Sequence, residues 1–204
     1  MATRQPILTF WFEFASTYSY LSAARIEDLA NAAGVAIRWR PFLLGPIFQR
    51  QGWTTSPFNL FPAKGRNMWR DMERQCAAMG LPLKRPDPFP QNSLTAARLA
   101  TIGVGEGWGP AFIRAVYHAE FGEGRDISSL SVLGGVLANL GLPADALISR
   151  ARTDEAVKSQ LKSTTEDAEA RGLYGAPSFT TEAGELFWGN DRLEAALAWA
   201  KDHG

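Results

Sequence analysis

Ser16 stands between an apolar run, residues 7–14 (ILTFWFEF), and a stretch with helical spacing, so its hydroxyl falls at a helix N-terminus. A hydroxyl there has two uses. It accepts a hydrogen bond from a first-turn N–H as an N-cap, or it donates to an anion at the positive end of the helix. Residue type alone favours the cap, with Ser19 as the third residue of the capping pattern. Asp191 and Glu194 form a D-x-x-E capping pattern before the last helix. Cys76 is the one cysteine, which rules out an internal disulfide and a CxxC dithiol cycle. It lies in line with Met68, Met72 and Met79, the spacing of an apolar helix face. His118 and His203 have no cluster of ligands at metal spacing, and no Walker, dinucleotide or G-x-S-x-G pattern occurs, so no metal and no nucleotide are expected.

The elements that must hold these residues follow from periodicity. Residues 7–14 read as a buried strand, about 18–33 as a helix stopped by Gly34, and 35–42 as a second strand. That β-α-β opening implies two parallel strands with a crossover helix. From 45 to 172 no strand is expected. Residues 58–64 read as a loop, 65–79 as a helix, and the proline-rich 81–91 as a linker. Helical runs follow over about 93–102, 109–121, 129–140, 143–151 and 154–171. Residues 176–181 and 186–188 then read as strands around a turn at 182–185, with a last helix over 192–201.

Lys plus Arg equals Asp plus Glu at 21 each, so no net field favours nucleic acid or an anionic membrane. Hydrophobic residues at 46% and charged ones at 21% are those of an ordinary globular chain. No run reaches the roughly 20 apolar residues that span a bilayer. The N-terminus lacks the pattern of a signal peptide, so a cytoplasmic, soluble enzyme is the expectation.

The order β-α-β, helical insert, β-β-α is that of an α/β thioredoxin-like fold with a large all-helical insertion, as in the DsbA branch. Residues 1–44 and 173–204 would form the thioredoxin-like domain and 45–172 the inserted one. The segment FEFASTYSYLSAARI, 12–26, resembles the N-terminal motif of 2-hydroxychromene-2-carboxylate isomerases and kappa-class glutathione transferases, F-D-x-x-S-P-Y/F-S-Y/W-L. Arg40-Pro41-Phe42-Leu43-Leu44-Gly45, Tyr174-Gly175-Ala176-Pro177 and Phe187-Trp188-Gly189-Asn190-Asp191-Arg192 agree with the same family in order and separation. The last block places the chain nearer the isomerases. Thr17 departs from the family, which usually has proline there, and Trp53 stands where relatives often carry a glutathione-contacting asparagine. Thr54 and Asn59 are the substitutes for that contact.

The resemblance implies glutathione as cofactor, a small aromatic carboxylate as substrate and a homodimer. Ser16, at the position of the attacking cysteine in redox relatives, would be the catalytic residue, holding the glutathione thiolate. Thr17, Tyr18, Trp53, Lys64, Ala176, Pro177, Asn190 and Asp191 complete the expected cofactor-binding set. Ala176-Pro177 corresponds to the cis-proline whose preceding residue pairs with the cysteinyl backbone. Asp191 corresponds to the carboxylate on the γ-glutamyl ammonium, and Lys64 to a lysine near a carboxylate. Tyr18 either lines the thiol site or packs on its helix. Phe42, Phe48, Trp53, Phe58, Phe61 and Trp69 are dense enough to supply an aromatic pocket or simply core. The implied reaction is a glutathione-dependent cis-trans isomerisation of the kind found in naphthalene-type catabolism. Two other readings remain: a kappa-like transferase or peroxidase, and a thioredoxin-fold protein that binds peptides beside Pro177 without catalysis.

Overall fold

The computed structural model describes residues 5–203. The outer ends of the expected thioredoxin-like domain, residues 1–4 and 204, lie outside that range, as does the start of the N-terminal reading. A mixed sheet runs in the order β2-β1-β3-β4, built from β1 (Ile7–Phe12), β2 (Ala36–Pro41), β3 (Ser178–Thr181) and β4 (Leu186–Trp188). β1 and β2 are parallel, with Ile7 opposite Ala36 and Phe12 opposite Pro41. β3 is antiparallel to both β1 and β4.

β1 is apolar on both faces because both are covered. Leu8, Phe10 and Phe12 point into the main core, while Trp11 enters a second cluster with Phe42, Ile47 and Leu173. Its crossover helix α1 (Thr17–Ala33) begins after Ser16 and ends at Gly34, whose φ of 73° is the left-handed stop that glycine takes without penalty. The strand ends at Phe12, earlier than the apolar run suggests, because residues 13–16 turn, with the Ser16 N–H on the Glu13 carbonyl at 3.0 Å.

Helices α2 (Leu44–Arg50), α3 (Pro57–Leu60), α4 (Pro62–Met79), α5 (Leu94–Glu106), α6 (Gly109–Tyr117), α7 (Leu130–Asn139), α8 (Ala144–Thr153) and α9 (Glu155–Ala170) lie between β2 and β3. The loop expected at 58–64 is helical instead. Pro57 and Pro62 each sit in a first helical turn, where a missing N–H costs nothing, and Ser56 accepts from the Phe58 N–H. The short α2 was not expected either. Past α6 the chain makes one π turn, His118–Gly122. The linker 81–91 has no helix and carries cis bonds at Asp87-Pro88 and Phe89-Pro90. Met68, Met72 and Cys76 line the buried side of α4, but Met79, expected with them, is exposed at the helix end. A short 3-10 turn, Asn190–Arg192, leads into α10 (Leu193–His203). Among the described residues no helix is long and apolar enough to cross a membrane.

Candidate active site

Ser16 is the N-cap of α1, with extended backbone angles and half-buried position. Its Oγ accepts from the Ser19 N–H at 3.3 Å, the expected capping bond, and donates to the Ala176 carbonyl at 2.8 Å. Cap and donor are therefore two uses of one hydroxyl, since its oxygen accepts while its single proton points elsewhere. Ala176-Pro177 is a cis bond. The carbonyl of Pro177 accepts from the Gly189 N–H at 3.0 Å, which ties this loop to the turn carrying Asn190 and Asp191. Thus the first helix mouth, the loop before β3 and the turn before α10 converge.

Tyr18 is partly buried, and its phenol donates to Asp71 Oδ2 on α4 at 3.0 Å. Burial first, and then the Asp71 partner, raise the phenol above its ordinary range, so it stays a neutral donor. Asp71 is worked on in both directions. Partial burial opposes its charge, while hydrogen bonds from Gln75, Tyr18 and Arg74 outweigh that and hold the carboxyl below the usual range. The charge of Asp191 adds a smaller push in the same upward direction at Tyr18.

Other expected residues sit differently. Thr17 is 1% exposed and its hydroxyl turns inward to Met68 Sδ at 3.3 Å, so its side chain anchors α1 to α4. Asn190 is buried and fully engaged. Its Oδ1 accepts from Ser22 Oγ at 3.0 Å and Arg25 Nε at 3.2 Å, and its Nδ2 donates to Gln75 Oε1 at 3.1 Å. Asp191 is the free end of this turn, its side chain 73% exposed and its Oδ2 3.5 Å from Arg192. The Asp191–Glu194 capping pattern does not form. Gly189 takes the cap position without a side chain, and Glu194 pairs with Arg25 on α1.

Trp53 and Lys64 lie on the α2–α4 side, Trp53 against Phe48 at 5.3 Å and Lys64 over the Phe61 ring at 4.7 Å. Lys64 and Phe61 are both exposed. Of the dense aromatics, Phe42 is core against Trp11, and Trp69 packs on Phe89 at 4.9 Å. Among the described residues no group of three or more His, Cys, Asp or Glu could hold a metal.

Residues 7–198 match the DSBA-like thioredoxin domain. The 2-hydroxychromene-2-carboxylate isomerase of Sphingobium xenophagum is 33% identical over 197 residues, covering 96% of this chain and 98% of that protein. The chain belongs to the DSBA-like thioredoxin family, in its 2-hydroxychromene-2-carboxylate isomerase branch. A solved 2-hydroxychromene-2-carboxylate isomerase superposes with a TM-score of 0.83 at 27% identity, covering 94% of each chain. The human glutathione S-transferase kappa 1 is 25% identical over 199 residues, covering 90% of this chain and 86% of that protein.

This DSBA-like chain carries no thiol at its helix mouth. Cys76, its one cysteine, is buried on α4, where burial pushes the thiol up to about 11. Residue-by-residue reading also missed the groups that support the site. Glu13 lay inside the F-E-x-x-S motif without being singled out. Asp71, Arg74 and Gln75 at helical spacing could have been found as a surface cluster, but their link to Tyr18 spans 53 positions and leaves no local signal.

Proposed function

We propose that this protein is a glutathione-dependent isomerase of 2-hydroxychromene-2-carboxylate-like aromatic carboxylates, working as a cytoplasmic homodimer. The observation that carries the reading is the Ser16 hydroxyl at the mouth of α1, 2.8 Å from the carbonyl before a cis-proline, in a chain whose own thiol is buried elsewhere.

The residues present fit the tripeptide. Ala176 offers backbone at the edge of the loop, where an extended peptide can pair in strand fashion. Asp191 offers an exposed carboxylate for an ammonium, and Lys64 an exposed cation for a carboxylate. Glutathione would supply the sulfur nucleophile that adds to a conjugated carbon, allows rotation about the resulting single bond, and leaves again unchanged.

Ser16 would donate a hydrogen bond to that sulfur, and the first-turn N–H groups of α1 would add their partial positive charge, so the anion is favoured over the thiol. Tyr18, neutral and anchored on Asp71, walls the site without competing for the proton. Holding the reacting groups together is worth several kcal/mol of barrier, on the order of 7 in well-oriented cases.

The test uses a hydroxychromene carboxylate. Turnover must require glutathione without consuming it, and must collapse in Ser16→Ala. Consumption of glutathione with an electrophilic aromatic halide, and no isomerisation, would instead support a transferase. Absence of glutathione binding at millimolar concentration would support a non-catalytic peptide-binding protein.

A further inference from the structure

Glu13 directly follows the first strand, where the chain turns toward Ser16, and it is 5% exposed. A buried carboxylate needs donors, and this one draws them from three separate segments. Oε1 accepts from the Ala15 N–H at 3.3 Å and from the Ser93 hydroxyl, while Oε2 accepts from the Leu44 N–H at 3.1 Å. Its backbone carbonyl takes the Ser16 N–H at 3.0 Å and the Tyr117 hydroxyl at 2.9 Å.

One helix start and one N-cap side chain depend on it. Leu43, the N-cap of α2, has no side-chain acceptor, and Ser93, the N-cap of α5, makes no capping bond of its own. The Leu44 N–H, first of α2, and the Ser93 hydroxyl are turned to Glu13, while the first N–H of α5, on Leu94, goes to Asn92 Oδ1 at 3.0 Å. Its side-chain partners all donate, two of them backbone N–H groups that can do nothing else, so the acceptor-only carboxylate satisfies them all at once. Burial raises the pKa of Glu13, and the bonds from Ser93, Leu44, Ala15 and Phe14 act against that rise.

We propose that Glu13 is a positioning residue for the reactive turn, fixing residues 13–16 against α2 and α5 so that Ser16 Oγ is aimed at the sulfur of the bound tripeptide. The proposal rests on the glutathione reading, and its test keeps the two apart. Ser93→Ala removes one tie without altering charge. Glu13→Gln keeps the shape but turns one acceptor into a donor, so it must lose either Leu44 or the Ala15–Ser93 pair.

In the free protein, amide exchange at Ala15, Ser16 and Leu44 should quicken at least about tenfold in both variants, the loss expected for a bond to a charged acceptor. With glutathione bound, the pH midpoint of the thiolate ultraviolet band should rise by roughly half a unit or more in Ser93→Ala. The dissociation constant should stay within about threefold of wild type, because the tripeptide's ends are held by other residues. Unchanged exchange in both variants overturns the proposal. So does faster exchange with an unmoved midpoint, which is the signature of a merely structural tie. If Glu13→Gln fails to fold, Ser93→Ala still decides. A wild-type protein that shows no thiolate band fails the glutathione reading alone, and exchange then reports whether Glu13 holds the turn.

Discussion

The Ser16 hydroxyl spends its one proton on the carbonyl of Ala176, 2.8 Å away. A serine has a single O–H to give, so it cannot hold this carbonyl and a thiolate together. Strand-like pairing of a peptide beside Pro177 would bring an N–H to the same carbonyl. On the glutathione reading, ligand binding and donor release would be one exchange: the incoming N–H would take over the carbonyl as the hydroxyl rotates to the sulfur. The free protein keeps both groups satisfied.

Ser16→Ala separates these two duties. The Ala176 carbonyl becomes more available, so glutathione affinity should change little. The donor to the sulfur is gone, and turnover should fall about 100-fold, the usual cost of deleting one oriented donor. The lost cap to the Ser19 N–H should cost about 1 kcal/mol of stability. Calorimetry and turnover on the same preparation check this, and a loss confined to affinity would contradict it.

Asn190 and Asp191 are neighbours with different work. Asn190→Ala strands Ser22, Arg25 and Gln75 at the junction of α1 and α4 with the last turn, and should destabilise by about 2 kcal/mol or more. Asp191→Asn touches an exposed side chain and should leave stability within about 0.5 kcal/mol. On the glutathione reading it should nevertheless weaken binding of the tripeptide, because it removes the charge offered to the ammonium. Urea unfolding and titration of both variants distinguish the supporting residue from the binding one.

The strand and helix pattern around the site was legible because it is local. The apolar run before Ser16, the glycine stop at Gly34 and the turn before β4 all follow from neighbours in sequence. What escaped was set by distant partners. Asp191 and Glu194 have the spacing of a capping box, yet Arg25, 169 positions from Glu194, takes that carboxylate away. Asn190, expected in the cofactor-binding set, also ties α1 to α4 through Ser22, Arg25 and Gln75. Thr17 was placed at the helix mouth correctly, while the helix phase that turns it onto Met68 could be known only from the packing of α4. Resemblance supplied the pairing of Ser16 with the 176–177 loop, which spacing could not.

Glycine 65 and glycine 175 offer a test of which close approaches matter. A Cβ at Gly65 would meet the carbonyl oxygen of Phe58, a backbone atom of α3 that cannot swing aside. Gly65→Ala should therefore pry α3 from α4 and cost about 1–3 kcal/mol. A Cβ at Gly175 would instead meet the Trp188 indole, a half-exposed side chain packed on Tyr174 and not backbone. Gly175→Ala should cost less stability and act on the neighbouring Ala176, so that turnover drops while the thermal midpoint nearly holds. The reverse ranking in a paired melting and activity series would count against this account of both contacts.

Glu120 gives the fold a pH dependence that the candidate chemistry does not use. It sits in the π turn, fully buried, with neither carboxyl oxygen bonded to a described residue. Burial raises its pKa well above the usual carboxylate range, and the charges of Glu13 and Asp126 raise it further, while the adjacent Tyr117 phenol is itself held neutral by burial. In the unfolded chain the same group ionises with a pKa near 4.5. Its contribution to stability is thus fully present below that value and is lost as pH rises toward the folded pKa, because folding must then take up a proton. The loss runs on the order of 1 kcal/mol per pH unit. Glu13, also raised by burial, adds a slope of the same sign. Glu120→Gln removes the Glu120 slope without changing shape. Urea unfolding of wild type and variant at pH 5 and pH 8 should show the variant gaining on wild type as pH rises. Parallel pH profiles would mean that Glu120 is ionised in the native state.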